Sequence, residues 1–248
     1  MKYSNRYYAH YLKTTTQKEM LPYCLQREVA VIAPKHLHKD GQMQKIQRHL
    51  RVHMEDIIKK IHLFKCSKSD DPINWYYSLA RYKKGLPFRN FLIPPKEKKD
   101  WAMYHWQEII SYDFCLDFDC DSFEEKIQTL PKVMHIAEIL LKKVKLLEIR
   151  DSGQGFHLIV PYHSMPTSYH ELSFNPYADE NIYDAFKEVA IFFKLQIADE
   201  IDLSIYDSRR VVKTPGSLAI YEDQELACVV LYNSLYKDLN TFKMEVGL

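Results

Sequence analysis

The residues best suited to chemistry lie in one short run, 113–121, which reads Asp-Phe-Cys-Leu-Asp-Phe-Asp-Cys-Asp. Its two-residue alternation is that of a β-strand. Phe114, Leu116, Phe118 and Cys120 fall on one side and suit a core, while Asp113, Asp117, Asp119 and Asp121 fall on the other. Carboxylates two positions apart on a strand stand roughly 6.5 Å apart at the backbone, and a cation between them relieves their repulsion. Hard divalent cations take oxygen ligands, which makes Asp117 and Asp119 candidate metal ligands. An edge strand whose acidic face meets solvent or lysines is the other reading these residues allow.

The flanking chain must position that strand. After it, Val133, Ile136, Ala137, Leu140 and Val144 mark an amphipathic helix that Pro131 can open at its first turn. A short strand over 146–150, a turn at Asp151-Ser152-Gly153-Gln154-Gly155 and a strand over 156–161 form a hairpin. A second helix spans 179–199, and 209–214 is a strand that stops at Pro215-Gly216. The order strand, helix, strand, strand, helix, strand is the split β-α-β arrangement of ferredoxin-like and RNA-recognition-motif folds. In that arrangement the first and third strands are neighbours, the fourth flanks the first, and both helices cover one face. Asp117 and Asp119 then project from the open face, and the alternation of Phe156, Leu158 and Val160 with His157 brings an imidazole to it.

Upstream the signals are coarser. Arg27-Glu28 opens an apolar strand over 29–32, and 73–82 is a second strand, rich in aromatics. Apolar residues Ile46, Leu50, Met54, Ile57 and Ile61 predict a helix over 42–61 with a basic outer face. Across 35–68, nine lysines and arginines face three acids, a patch able to meet phosphates or simply solvent. Pro87, Pro94 and Pro95 make 86–96 a connector, so the chain reads as an N-terminal α/β subdomain, 1–95, and a second subdomain, 96–248. A helix with Trp101, Tyr104, His105 and Ile109 leads into the acidic strand.

Composition sets limits on function. With 248 residues and 46% apolar content the chain can bury a substantial core. Thirty-four basic residues against thirty-three acidic leave a net charge of +1, so nucleic-acid affinity must come from local charge. Five cysteines without a Cys-x-x-Cys pair suggest reduced thiols. The histidines of 35–68 lack the spacing of a zinc site. No signal peptide or membrane-spanning run is evident, and the expectation is a soluble cytoplasmic protein without a membrane partner.

Three blocks in order now carry a resemblance: Leu116-Asp117-Phe118-Asp119, then Ser152-Gly153-Gln154-Gly155-Phe156-His157, then Asp202 with Arg210-Val211-Val212-Lys213-Thr214-Pro215-Gly216-Ser217-Leu218. Together they resemble the archaeo-eukaryotic primase superfamily, and in particular a primase catalytic (small) subunit, over roughly 27–218. The resemblance implies an α/β (α+β) primase catalytic core containing the RNA-recognition-motif-like unit. It implies that Asp117, Asp119 and Asp202 are catalytic and bind two divalent ions, Mg²⁺ or Mn²⁺. It further gives Ser152, Gly153, Gly155, His157 and Lys213 contacts to the incoming nucleotide triphosphate, with Arg210 and Arg27 as additional members.

The implied activity is template-directed primer synthesis on single-stranded DNA, in a primosome with a primase large subunit as partner. Many relatives continue Pro-Gly-Ser-Leu with a histidine, where this chain has Ala219, and the loss weakens primer initiation. Cellular relatives often carry a zinc module between the first two blocks. Here 122–151 hold His135 and no cysteine, so no zinc is expected. The chain reads as a compact core without a long C-terminal extension. Gap-filling or end-joining repair synthesis, and a non-catalytic nucleic-acid-binding accessory subunit, are the competing functions.

Overall fold

The computed structural model describes residues 26–32, 46–50, 74–83, 106–208, 210–215, 218–221 and 224–247. The fold is α+β, built on antiparallel sheets. Two compact units divide the chain, one made of Met1–Ile110 and Val211–Glu225, the other of Ser111–Arg210 and Leu226–Leu248. The connector expected at 86–96 lies outside the described residues.

In the first unit β1 (Arg27–Ile32), β2 (Ile46–Leu50) and β3 (Asn74–Tyr82) form a sheet in the order β2-β1-β3, followed by β4 (Ile109–Tyr112). Strand β8 (Val211–Lys213) also joins β3, antiparallel, with Tyr76 opposite Lys213 and Ser78 opposite Val211. A separate pair is formed by β9 (Leu218–Tyr221) and β10 (Gln224–Ala227). Two helix expectations fail here. The 46–50 part of the basic helix is strand β2, laid along β1 with Ile46 opposite Ile32, so a backbone ladder overrides a helical apolar period. Of the helix expected before the acidic strand, Trp101, Tyr104 and His105 lie outside the described residues, 106–108 form a 3₁₀ turn and Ile109 belongs to β4.

The second unit holds a four-stranded antiparallel sheet in the order β11-β6-β7-β5: β5 is Phe114–Asp119, β6 Glu148–Asp151, β7 Gly155–Val160 and β11 Val229–Asn233. Helices α1 (Phe123–Leu141), α2 (Thr167–His170), α3 (Ile182–Gln196) and α4 (Leu239–Glu245) accompany it. Phe118 pairs with Phe156, Leu116 with Leu158 and Phe114 with Val160, so one sheet face is continuously apolar. Both long helices lie on that face: the Phe186 ring of α3 meets Phe114 at 5.0 Å, and Lys126 of α1 lies 5.6 Å over the Phe156 ring. Leu116, Phe118, Leu158, Ile136 and Phe186 are fully buried, each worth about 1.5–3 kcal/mol relative to exposure.

Two details depart from expectation. Helix α1 begins eight residues before Pro131, because the Ser122 hydroxyl accepts the Glu125 N–H as an N-cap and Glu125 Oε2 accepts the Asp121 N–H in return. Pro131 is therefore inside the helix. The fourth strand of the split β-α-β unit, expected beside β5, is β8 in the other sheet. Among the described residues a single bridge, Phe118 to Ile201, flanks β5 there. The outer place beyond β6 is taken by β11, for which the sequence offered no distinguishing pattern.

Candidate active site

The second face of the β5–β7–β6 sheet carries the charged side chains. Register sets Asp117 opposite His157 and His157 opposite Arg150, so one row across three strands reads carboxylate, imidazole, guanidinium. Asp119 is opposite Gly155 at the end of the hairpin. The Phe118–Ile201 bridge adds the third aspartate: Asp202 N–H donates to the Asp117 carbonyl at 2.8 Å and Asp119 N–H to the Glu200 carbonyl at 3.0 Å. Residues directly opposite on paired backbones share a face, so Asp202 joins Asp117 and Asp119. Tyr206 fastens this segment to β5 by donating its hydroxyl to the Cys115 carbonyl at 2.9 Å. Burial above all raises the Tyr206 pKa far up, so the hydroxyl stays protonated and available as that donor.

Asp119 reports the electrostatics of the group. Burial first, then the Asp117 and Asp202 carboxylates, push its pKa from the ordinary 3.8 up to about 6, with His157 pulling the other way. Asp117 Oδ1 is 3.4 Å from His157 Nε2. His157 is 6% exposed, and its Nδ1 is buried with no hydrogen-bond partner among the described residues. A buried ring nitrogen without a partner is costly. Asp202 also caps the 3₁₀ turn Leu203–Ile205, its Oδ1 accepting Ser204 N–H at 2.8 Å and its Oδ2 accepting Ser204 Oγ–H at 2.7 Å. Each carboxylate oxygen keeps further acceptor capacity.

Among the described residues no group of three or more His, Cys, Asp and Glu side chains is gathered so as to hold a metal ion. The donor chemistry is of the kind a divalent cation takes: three carboxylates, one of them with a pKa raised by burial and by its acidic neighbours. What the fold supplies is a concentration of negative charge on one face, not a finished cage. Asp113 takes no part in it, and Asp121 adds only the smallest of the charge effects on Asp119. Asp113 is buried and accepts the Tyr162 N–H at 3.0 Å, and Asp121 is exposed before α1.

The Ser152–Gly155 hairpin borders Asp119. Ser152 N–H donates to the Gly155 carbonyl at 3.0 Å, and Gly155 N–H returns to Ser152 Oγ at 3.1 Å. Gly153 has φ +95°, which favours glycine. Gly155 is required for another reason: a Cβ there would lie 1.8 Å from the Phe118 carbonyl oxygen. Its smallness serves the contact of β7 with β5.

The remaining expected contacts are placed differently. Arg210 donates Nη2 to the Ser204 carbonyl at 2.6 Å and Nε to the Ile205 carbonyl at 3.2 Å, bracing the turn that follows Asp202. Arg27 and Lys213 belong to the first unit. Arg27 is fully buried, with Nη1 donating to the Ser78 and Leu79 carbonyls at 2.7 Å each. Lys213 is half-buried on β8, opposite Tyr76.

Three charged residues were missed from the sequence. Arg150 and Glu148 form a buried ion pair on the site face, and Asn233 of β11 donates to Glu148 at 3.0 Å. Lys126 reaches from α1 to the hairpin. Alternating strand charges at Glu148 and Arg150 were the only available signal.

No family model and no curated protein matches this chain. Among solved structures it is similar to the crystal structure of primase RepB', with a TM-score of 0.44 and 8% identity over 96% of this chain. The chain spans 63% of the length of that protein. It is also similar to the polymerase domain from Mycobacterium tuberculosis Ligase D in complex with DNA, with a TM-score of 0.48, 10% identity, and coverage of 98% of this chain and 88% of that one. Among the described residues no helix is long and apolar enough to cross a membrane.

Proposed function

We propose that this chain is a template-directed nucleotidyltransferase of the archaeo-eukaryotic primase type, acting as a DNA primase catalytic subunit. The observation that carries the reading is the convergence of Asp117, Asp119 and Asp202 on one sheet face, where burial first and then the neighbouring carboxylates lift the Asp119 pKa to about 6. These aspartates come from the first and last of the three blocks that carry the resemblance. The middle block supplies His157 and the Ser152 hairpin beside them.

In this reading Asp117, Asp119 and Asp202 hold two Mg²⁺ or Mn²⁺ ions. When bound, such ions neutralise charge on the attacking and leaving oxygens of a phosphoryl transfer. The chain's own residues do the holding. His157, with a buried Nδ1 that lacks a partner, and the Ser152 hydroxyl bind and orient the triphosphate, and the resemblance adds Lys213 to that task. Tyr206 keeps the Asp202 segment against β5, and Arg210 braces the turn that follows Asp202. Single-stranded DNA with a primer is the second substrate, and a large subunit is the proposed partner for initiation.

Gap-filling repair synthesis is the second reading, favoured by Ala219 where many relatives carry histidine. Both are tested by incorporation of labelled ribonucleotides and deoxynucleotides on a single-stranded template, with and without primer, in Mg²⁺ and in Mn²⁺. Incorporation that is lost in Asp117→Ala supports the nucleotidyltransferase. A need for primer that persists when a large subunit is supplied points to the repair role. No incorporation with either sugar, metal or primer state overturns both and leaves the non-catalytic accessory role.

A further inference from the structure

The Ser152–Gly155 hairpin is held by a side chain from outside it. Lys126, in the second turn of α1 and 9% exposed, donates Nζ to Asp151 Oδ1 at 2.7 Å, to Asp151 Oδ2 at 2.8 Å and to the Gly153 carbonyl at 2.9 Å. Its ammonium also lies over the Phe156 ring. An ammonium has three protons, and here all three are spent on the two arms of one turn. Asp151 Oδ1 accepts the Gly153 N–H at 2.7 Å as well, so the carboxylate is gripped by the lysine on one side and by the turn on the other. The result is a closed loop of bonds running Lys126, Asp151, Gly153 and back to Lys126.

The pair is placed at a cost, because the Lys126 ammonium is buried and the Asp151 carboxylate is partly so. Two features make a purely packing role a poor account of it. The helix face around Lys126 could be filled by an apolar residue, as Val133 and Ile136 fill it further along. And the bonds go to the one segment whose backbone must adopt φ +95°, at Gly153. Asp151 alone could form the Asx turn to Gly153 N–H. Only the lysine also fixes the Gly153 carbonyl, and with it the orientation of the following peptide, Gly153–Gln154, at the hairpin tip.

We infer that Lys126 is a positioning residue: through Asp151 and the Gly153 carbonyl it sets the hairpin in the shape in which Ser152 and the tip backbone receive a nucleotide triphosphate. This deepens the proposed function and rests on it. Lys126 touches no nucleotide in this account. Its effect passes through the hairpin, so it acts on nucleotide capture, while Asp117, Asp119 and Asp202 stay where β5 and the Ile201 bridge put them.

The test pairs nucleotide binding with amide exchange in the full chain. A triphosphate analogue with a non-cleavable α–β bridge is titrated calorimetrically, with Mn²⁺ present, into wild type, Lys126→Met, Lys126→Arg and Asp151→Asn. Lys126→Met and Asp151→Asn are expected to bind about tenfold more weakly, and Lys126→Arg to recover part of that loss. Hydrogen exchange across 151–156, measured without nucleotide, should quicken in Lys126→Met and Asp151→Asn, while 114–118 stays as in wild type.

The outcomes separate. Wild-type binding that persists unchanged in Lys126→Met overturns this inference alone. Quickened exchange with unchanged binding overturns it too, since the hairpin then has no part in nucleotide capture. A wild-type protein that takes no triphosphate overturns the proposed function, and this inference with it. If Lys126→Met fails to melt cooperatively, Asp151→Asn and Lys126→Arg decide by the same two measurements.

Discussion

At the scale of single residues, Asp119 makes the site's electrostatics measurable. Its carboxyl is raised to about 6 by burial and by its two acidic neighbours. Below about pH 4 it is protonated in folded and unfolded chains alike. As the pH rises from about 4 to about 6, the unfolded chain releases the proton while the folded one keeps it, so this group's contribution to stability falls and then levels off. Asp119→Asn should therefore melt higher than wild type at pH 7.5, and the difference should vanish below about pH 4. A difference independent of pH would mean that the carboxylates do not repel in this way. Mn²⁺ at neutral pH should raise the melting temperature of wild type but not of Asp117→Ala, because a ligand that binds only the folded state stabilises it.

His157 gives a kinetic counterpart. If its imidazole holds phosphate before the transition state, His157→Ala should raise the nucleotide KM by about tenfold with a smaller change in kcat, and leave binding of DNA nearly unchanged. An unchanged KM would remove His157 from the nucleotide site. Asp117, Asp119 and His157 were legible because strand alternation assigns a face without any knowledge of the partner strand. Arg150, Glu148 and Lys126 were not legible. Their roles depend on which charge faces which across the sheet or from α1, and a residue's own neighbours in sequence do not contain that.

At the scale of elements, the tightest constraint is between β5 and β7. Any side chain at position 155 collides with the Phe118 backbone, which cannot move without breaking the ladder that carries Asp117 and Asp119. Gly155→Ala should destabilise the fold by at least about 2 kcal/mol and lower activity along with it, read by urea denaturation and nucleotide incorporation. Wild-type stability in that variant would show that β7 can shift away from β5. Strands β1, β3, β5 and β7 could be read from their patterns. Strand β2 could not, because its apolar residues also fit a helical period, and a strand that completes another strand's ladder needs little pattern of its own. The start of α1 at Ser122 was missed because Pro131 reads as a first-turn residue, whereas a helix tolerates it here at an exposed interior position.

At the scale of the whole molecule, the chain leaves its first unit near Ile110 and returns to it at Val211. No local period shows which sheet 211–213 will join, which is why the last strand of the expected split β-α-β unit was assigned to the wrong neighbour. The proposed task on DNA is also a property of the whole chain. A net charge of +1 supplies no long-range attraction for a polyanion, so affinity must come from a few local contacts, chiefly the basic 35–68 segment. Each phosphate contact on a single strand steepens the fall of affinity with salt by about 0.7 in the log–log slope, so binding at near-physiological salt should be weak. Initiation suffers most, since two nucleotides must be held side by side with no primer stacked beside them. The purified chain should thus extend a primer on a single-stranded template, while making little product without one until a second subunit is supplied. Abundant unprimed product from the chain alone at that salt would sink this expectation and make it a self-sufficient primase.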